Sequence, residues 1–146
     1  MGFRQLTKKI KSKKGQSMVE MALTLPLIIM CIGIIITSGQ LFLGKITAQM
    51  AAYEGARTAI VIDDRNNAAF ESQQRATDIM ANAVGVEQET VNYIFQPHSS
   101  WTQGNYLEYS VEADVITLFP IPDSNFNLHS TTTVTGKINM MIERNP

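Results

Sequence analysis

Between Met21 and Gly44 the chain carries no charged side chain, and twelve of those positions are Leu, Ile or Phe. A helix rises about 1.5 Å per residue, so this stretch of 24 residues reaches roughly 36 Å and spans a bilayer core of about 30 Å. The twelve large apolar residues favour insertion by roughly 4–7 kcal/mol in sum. The competing reading is a helix buried in a soluble core, but the remaining chain is too short to cover such a length on every side. The pattern therefore predicts a membrane-spanning helix.

Beyond Lys45 the periodicity stays helical. Ile46, Met50, Tyr53 and Ile60 recur on one stripe with alanines between them, which predicts one continuous helix over 17–62 whose outer half packs that stripe on the rest of the domain. Glu54 and Arg57, three apart, suit a solvated pair, and Gly55 suits close packing. Asp63-Asp64-Arg65-Asn66-Asn67 breaks the pattern and caps a second helix over 68–84, with Gly85 as terminator and Phe70, Met80, Ala83 and Val84 on its buried side. Residues 90–95 read as a short strand and 96–105 as a loop with Pro97 and Gly104. Leu107, Tyr109, Val111, Ala113 and Val115 then alternate with Glu108, Ser110, Glu112 and Asp114, the period of a strand with one buried and one acidic face. Pro120 and Pro122 predict a long loop over 118–128. Val134, Ile138, Met140 and Ile142, with Gly136 in line, share one face of a last strand. The fold class is α+β: a long N-terminal transmembrane helix continuing into a domain with a second helix and a small antiparallel sheet of about three strands.

Charge sets the orientation. Residues 1–15 hold Arg4, Lys8, Lys9, Lys11, Lys13 and Lys14 and no acid, while the rest of the 146-residue chain keeps six bases and all 13 acids. Positive flanks stay in the cytoplasm, so the N-terminus is expected inside and the acidic body outside, in a single-pass protein of the cytoplasmic membrane. An acidic body is a poor partner for nucleic acid. The apolar stretch is longer than that of a secretory signal, and Ala48-Gln49-Met50 makes no small-x-small site, so the stretch is expected to be retained. The division is then 1–15 as a basic cytoplasmic leader, 16–44 as the transmembrane helix and 45–146 as the extracytoplasmic domain.

Little chemistry is legible. Cys31 is the single cysteine, which excludes an internal disulfide and any cysteine-clustered zinc site, and His98 and His129 do not build a histidine-rich metal centre. His98-Ser99-Ser100 is a loop triplet without a paired acid in a motif. Glu108, Glu112 and Asp114 read as a solvated sheet face rather than a cation site, the glycines form no phosphate cradle, and Trp101 reads as a loop anchor. No catalytic residue, metal or cofactor is assigned. Phe119 and Ile121, within 118–122, form an apolar contact patch for another subunit if exposed; packing against the sheet is the equal alternative. Two residues sit oddly for a plain anchor. Glu20 lies at the cytoplasmic edge of the apolar run, where an interfacial acid wetted by headgroups and a functional acid are equally good readings. Pro26 leaves the Ala22 carbonyl without its helical partner, which a tolerated kink explains.

Taken together, Lys13-Lys14-Gly15-Gln16-Ser17-Met18-Val19-Glu20 followed by Met21-Ala22-Leu23-Thr24-Leu25-Pro26-Leu27 resembles the class III signal of type IV prepilins. That resemblance implies cleavage by a prepilin peptidase on the cytoplasmic side, between Gly15 and Gln16, and a register role for Glu20 toward the amine of a neighbouring subunit. More narrowly, Gly15–Glu20 with Leu25-Pro26-Leu27, and Ala52-Tyr53-Glu54-Gly55-Ala56-Arg57-Thr58-Ala59 downstream, resemble TadE-like proteins, the minor pilins or pseudopilins of tight-adherence (Tad/Flp, type IVb) pili. Tyr53 stands where that family often has arginine, and Met140-Met141-Ile142-Glu143-Arg144 resembles its terminal strand. The resemblance implies a pilin-like domain and a role in pilus assembly rather than catalysis. Its implied partners are the peptidase, other pilin or pseudopilin subunits, the membrane assembly platform and membrane lipid. The alternative is an uncleaved, N-terminally anchored extracytoplasmic binding module.

Overall fold

The computed structural model describes residues 3–122 and 128–143, with the backbone alone for residues 3–14 and Pro122. In chain order the elements are α1 (Phe3–Ile60), α2 (Arg65–Met80), a single 3-10 turn (Gln88–Thr90), β1 (Asn92–Pro97), β2 (Tyr106–Pro122) and β3 (Leu128–Met141). This is the expected α+β layout, with the three strands in one antiparallel sheet of order β1-β2-β3. The chain divides into two compact units, residues 1–36 and 37–146.

The first unit is helix alone. Its large apolar side chains point outward all round, Leu23, Leu27, Ile29 and Ile35 among them, as suits a helix whose solvent is lipid. The stretch Gly15–Ile60 contains a window long and apolar enough to cross a membrane. Helix runs through Pro26 without interruption. Two residues earlier the Thr24 hydroxyl donates to the Glu20 carbonyl at 2.9 Å, a side-chain bond common in apolar helices. The helix begins well before the expected start at residue 17, because nothing in the basic leader breaks it.

In the second unit, residues 37–60 of α1 and the whole of α2 pack with the sheet. The helix presents the face opposite to the one expected. Gly44, Ala48, Ala51, Ala52, Gly55, Ala56 and Ala59 are buried, whereas Ile46, Met50 and Tyr53 face out. The reason is distance. A Cβ on Gly136 of β3 would lie 2.2 Å from the Ala48 backbone, one on Gly44 would lie 2.4 Å from the Val115 side chain, and one on Gly55 would lie 2.7 Å from the Tyr109 ring. At Gly136 helix and sheet touch almost backbone to backbone, and opposite Val115 and Tyr109 of β2 the helix has room only for glycine. Close approach also lets polar side chains of α1 reach the strand. The Gln49 amide donates to the Lys137 carbonyl at 2.9 Å and accepts from the Lys137 N–H at 3.2 Å, and the Lys45 ammonium donates to the Thr135 carbonyl.

Along β2 the inward series is as expected, with Leu107, Tyr109, Val111, Ala113 and Val115 all buried, whereas Ser110, expected on the solvated face, is buried as well. The inward series joins Ala48, Ala51, Ala52, Ala56, Ala76 and Met80 in the main core, or Ala59, Ala68 and Ile142 in a second cluster below Trp101. Trp101 anchors its loop, donating to the Ile62 carbonyl at 3.2 Å with its ring 5.3 Å from Phe95. Val134, Ile138, Met140 and Ile142 do share the inner side of β3.

Several expectations need correction. The second helix spans Arg65–Met80, capped by Asp64, whose carboxylate accepts from the Asn67 N–H at 3.0 Å. Its buried residues are Ala68, Ser72, Ala76 and Met80, spaced by four, while Phe70 and Val84 are exposed. As on α1, the small residues face inward. Gly85 (φ +76°) closes no helix turn. It shapes the link to an isolated bridge between Val86 and Val115, and its carbonyl accepts from the Ile116 N–H at 2.8 Å. The first strand starts two residues late because Gln88–Thr90 winds into the 3-10 turn, and it runs on through Pro97. Residues 118–122, expected in a loop, belong to β2. The sheet tolerates Pro120 because residues 117–120 bulge out against the single residue Ser130, so no ladder N–H is missing there.

Tyr109 is the largest fully buried side chain, and its hydroxyl makes no hydrogen bond of good geometry. Burial pushes the phenol up to about 12 from its ordinary 10.0, outweighing the lowering effect of the Ser72 hydroxyl beside it. The folded chain then holds this proton more tightly than the unfolded chain. Its contribution is whole below pH 10.0 and is lost as pH rises toward about 12. The loss is on the order of 2–3 kcal/mol. In detergent-solubilised protein, Tyr109→Phe is expected to flatten the fall in melting temperature over that pH range, with little change at pH 7. Gly136→Ala is expected to cost about 1–3 kcal/mol by thermal melt, since the methyl meets backbone. Gly39→Ala, with nothing within 4 Å, is the comparison without a clash and is expected to be neutral or stabilising by up to about 1 kcal/mol.

Candidate functional site

The residues singled out near the N-terminus lie on one helical segment. Gly15 is helical and exposed, and a Cβ there would meet nothing within 4 Å. Its value is therefore not packing. Glycine weakens a helix interior by about 1 kcal/mol relative to alanine, so Gly15–Gln16 is a preferred place for the backbone to open. Lys13 and Lys14 lie in the same helix, with their side chains outside the described residues. Gln16 and Glu20 are one turn apart, and the Gln16 amide donates to a Glu20 carboxylate oxygen at 3.2 Å. A neutral amide leaves the carboxylate charge uncompensated at the head of an apolar run. A cationic partner at the same position would neutralise it.

A second feature is the outward face of α1 over residues 43–53. Leu43, Ile46, Met50 and Tyr53 recur at spacings of three and four and are exposed. Ile46, Gln49, Met50, Tyr53 and Glu54 line an open groove of about 460 Å³ there. Glu54 and Arg57 form no ion pair with each other. Sequence reading found Ile46, Met50 and Tyr53 but assigned them to the core. The signal that points the other way is the run of Gly and Ala on the opposite face, which marks the side of closest approach.

The polar cluster at the far end of the sheet looks more like chemistry than it is. The Glu108 carboxylate on β2 pairs with the Lys137 ammonium on β3 at 2.7 Å, with His98 Nε2 3.9 Å away. The acid that His98 lacks in sequence thus arrives across the sheet. The Ser100 hydroxyl is engaged with Thr102 at 3.1 Å and accepts from Asn105, so it is turned to its own loop and not to His98. A polar cleft of about 330 Å³ is lined by Arg65, Phe95, Gln96, Pro97, His98 and Glu108. Among the described residues no three His, Cys, Asp or Glu side chains gather as metal ligands. Asp114 accepts from the Thr133 hydroxyl across the strands. At the other end of the hairpin Phe119 is partly exposed and Ile121 half-buried, so the patch expected within 118–122 is open on one side.

The inverted packing of α1 is testable. Met50→Glu is expected to change thermal stability by no more than about 0.5 kcal/mol, because the side chain is exposed. Ala52→Leu, on the buried face, is expected to cost about 1–3 kcal/mol. Thermal melts of the solubilised full chain compare the two.

Comparison with known proteins bears on the N-terminal segment. No curated protein and no solved structure matches the chain. One family model, described as TadE-like protein, matches residues 15–57. That match begins at the glycine of the expected cleavage junction, takes in Glu20, Pro26 and the apolar run, and ends at Arg57. From Gly15 to Arg57, then, the sequence is similar to the TadE-like family.

Proposed function

We propose that this protein is a minor pilin-like subunit of a Tad/Flp-type (type IVb) pilus, working in assembly and not in catalysis. The carrying observation is that one family match covers Gly15, Gln16, Glu20 and the apolar run, all borne on a single helix. In this reading the basic leader of residues 1–15 holds the Gly15–Gln16 bond at the cytoplasmic face. The helix opens at Gly15, and a prepilin peptidase cuts there. The new Gln16 amine then supplies the positive charge that the Glu20 carboxylate lacks. Glu20 pairs with the amine of a neighbouring subunit, and because a buried acid is costly unless paired, the pairing sets register. The apolar helix stores the subunit in the cytoplasmic membrane with residues 45–146 outside, until the assembly platform and other pilin subunits recruit it for secretion or adhesion.

One observation favours a second reading, an uncleaved anchored binding module. The helix runs unbroken through Gly15, and Glu20 already has a partner in Gln16 of its own chain. The N-terminal mass of protein from its native membrane separates the two. A chain beginning at Gln16 is expected, and Glu20→Ala is then expected to abolish incorporation into pili with membrane insertion intact. A chain beginning at Met1 in cells with active prepilin peptidase would overturn the pilin reading.

A further inference from the structure

A cut after Gly15 leaves glutamine as the first residue of the chain. Glutamine is chemically labile in that position. Its α-amine can attack its own side-chain carbon, Cδ, to form the C–N bond of a five-membered lactam, while the Cδ–Nε2 bond breaks. The proton shed by the attacking amine passes to the departing nitrogen, which leaves as ammonia. No oxidant or cofactor is needed. The lactam nitrogen is neutral, so closure erases the terminal positive charge that the proposed pairing with Glu20 requires.

The fold holds that side chain elsewhere. Gln16 does not turn back on its own backbone nitrogen. It reaches one helical turn along the chain, where Nε2, the atom that would leave, donates to Glu20 Oε1 at 3.2 Å. Ring closure requires the carboxamide to swing away from Glu20 and give up this charge-assisted bond. Donation to an anion also pushes the electron pair of the amide nitrogen toward the carbonyl, which makes Cδ a poorer target. The contact leaves the register role open. It uses Oε1 alone, and Oε2 has no partner among the described residues. One carboxylate can hold the amide of its own chain and accept an amine from a neighbour at the same time.

We propose that Glu20, by holding the Gln16 carboxamide, slows cyclisation of the mature terminus and so preserves its amine. Glu20 is then a positioning residue within its own subunit as well as a register residue toward the next. This rests on the reading that the chain is cleaved after Gly15, and it removes the conflict between an intrachain partner for Glu20 and a neighbour's amine.

The test follows the N-terminal mass of the full processed chain, purified from its native membrane in detergent and held at mildly alkaline pH for several days. Cyclisation is read as the loss of one ammonia from the terminal fragment. Folded wild type is expected to keep its glutamine. Glu20→Ala, and wild type held in guanidinium, are expected to close about threefold to tenfold faster. Glu20→Gln retains an oxygen that can accept the amide and is expected to close more slowly than Glu20→Ala. A role for Glu20 in stability alone would not change the order of these rates. The guanidinium arm needs no variant, so the comparison stands even where an altered chain escapes processing. Equal rates in folded and denatured wild type, or in wild type and Glu20→Ala, would overturn the protective role and leave cleavage after Gly15 intact. A wild-type chain that already lacks one ammonia on isolation would overturn it too. A chain that begins at Met1 would overturn the cleavage itself.

Discussion

The second unit depends on how near α1 comes to the sheet. Gly44, Ala48, Ala52 and Gly55 on the helix and Gly136 on β3 remove the side chains that would hold the two layers apart, and Val115 and Tyr109 fill the space that is left. Close packing gains dispersion contacts for many atoms at once, and a single added methyl at Gly136 has nowhere to go but the backbone of Ala48. The same proximity brings Lys45 and Gln49 within reach of strand carbonyls and amides. Core and polar stitching are therefore two results of one constraint.

A helix that packs by its small residues keeps its large ones for other uses. Over residues 37–60 the inner face is glycine and alanine, and the outer face carries Leu43, Ile46, Met50 and Tyr53. In the preceding turns the apolar residues surround the helix completely, as a lipid environment requires. One helix thus meets its surroundings in two ways, with the change falling where the sheet begins to cover it. Subunit contacts of the kind proposed for a pilin need such an uncommitted apolar face, and the fold supplies one without weakening its own core.

Much of this was legible in the sequence. The uncharged run, the inward series along Leu107–Val115 and the cap at Asp64 each report a local rule, and each stands in the structure. The errors have a common physical source. Ile46, Met50, Tyr53 and Phe70 were assigned to the core because hydrophobic residues usually go inside, but burial also depends on the gap to be filled, and periodicity carries no information about that gap. Pro120 announced a loop by a rule that holds only where the ladder needs an N–H. A bulge paired against Ser130 set aside that requirement. The proximity of Glu108, Lys137 and His98 is a product of strand register, which no spacing along the chain encodes. Gly15, Gln16 and Glu20 could be singled out as a group because they are neighbours in sequence and need no tertiary fold to come together.

The Gln49 amide and the Lys45 ammonium also decide how this domain can and cannot polymerise. β3 lies at the margin of the sheet, where unpaired amides and carbonyls ordinarily offer a template for another strand. At Thr135 and Lys137 those groups are already taken by the helix. A neighbouring chain cannot extend the sheet through the middle of β3 without first stripping off α1, and with it the core. Growth by strand addition, the route to uncontrolled fibres, is closed at that point.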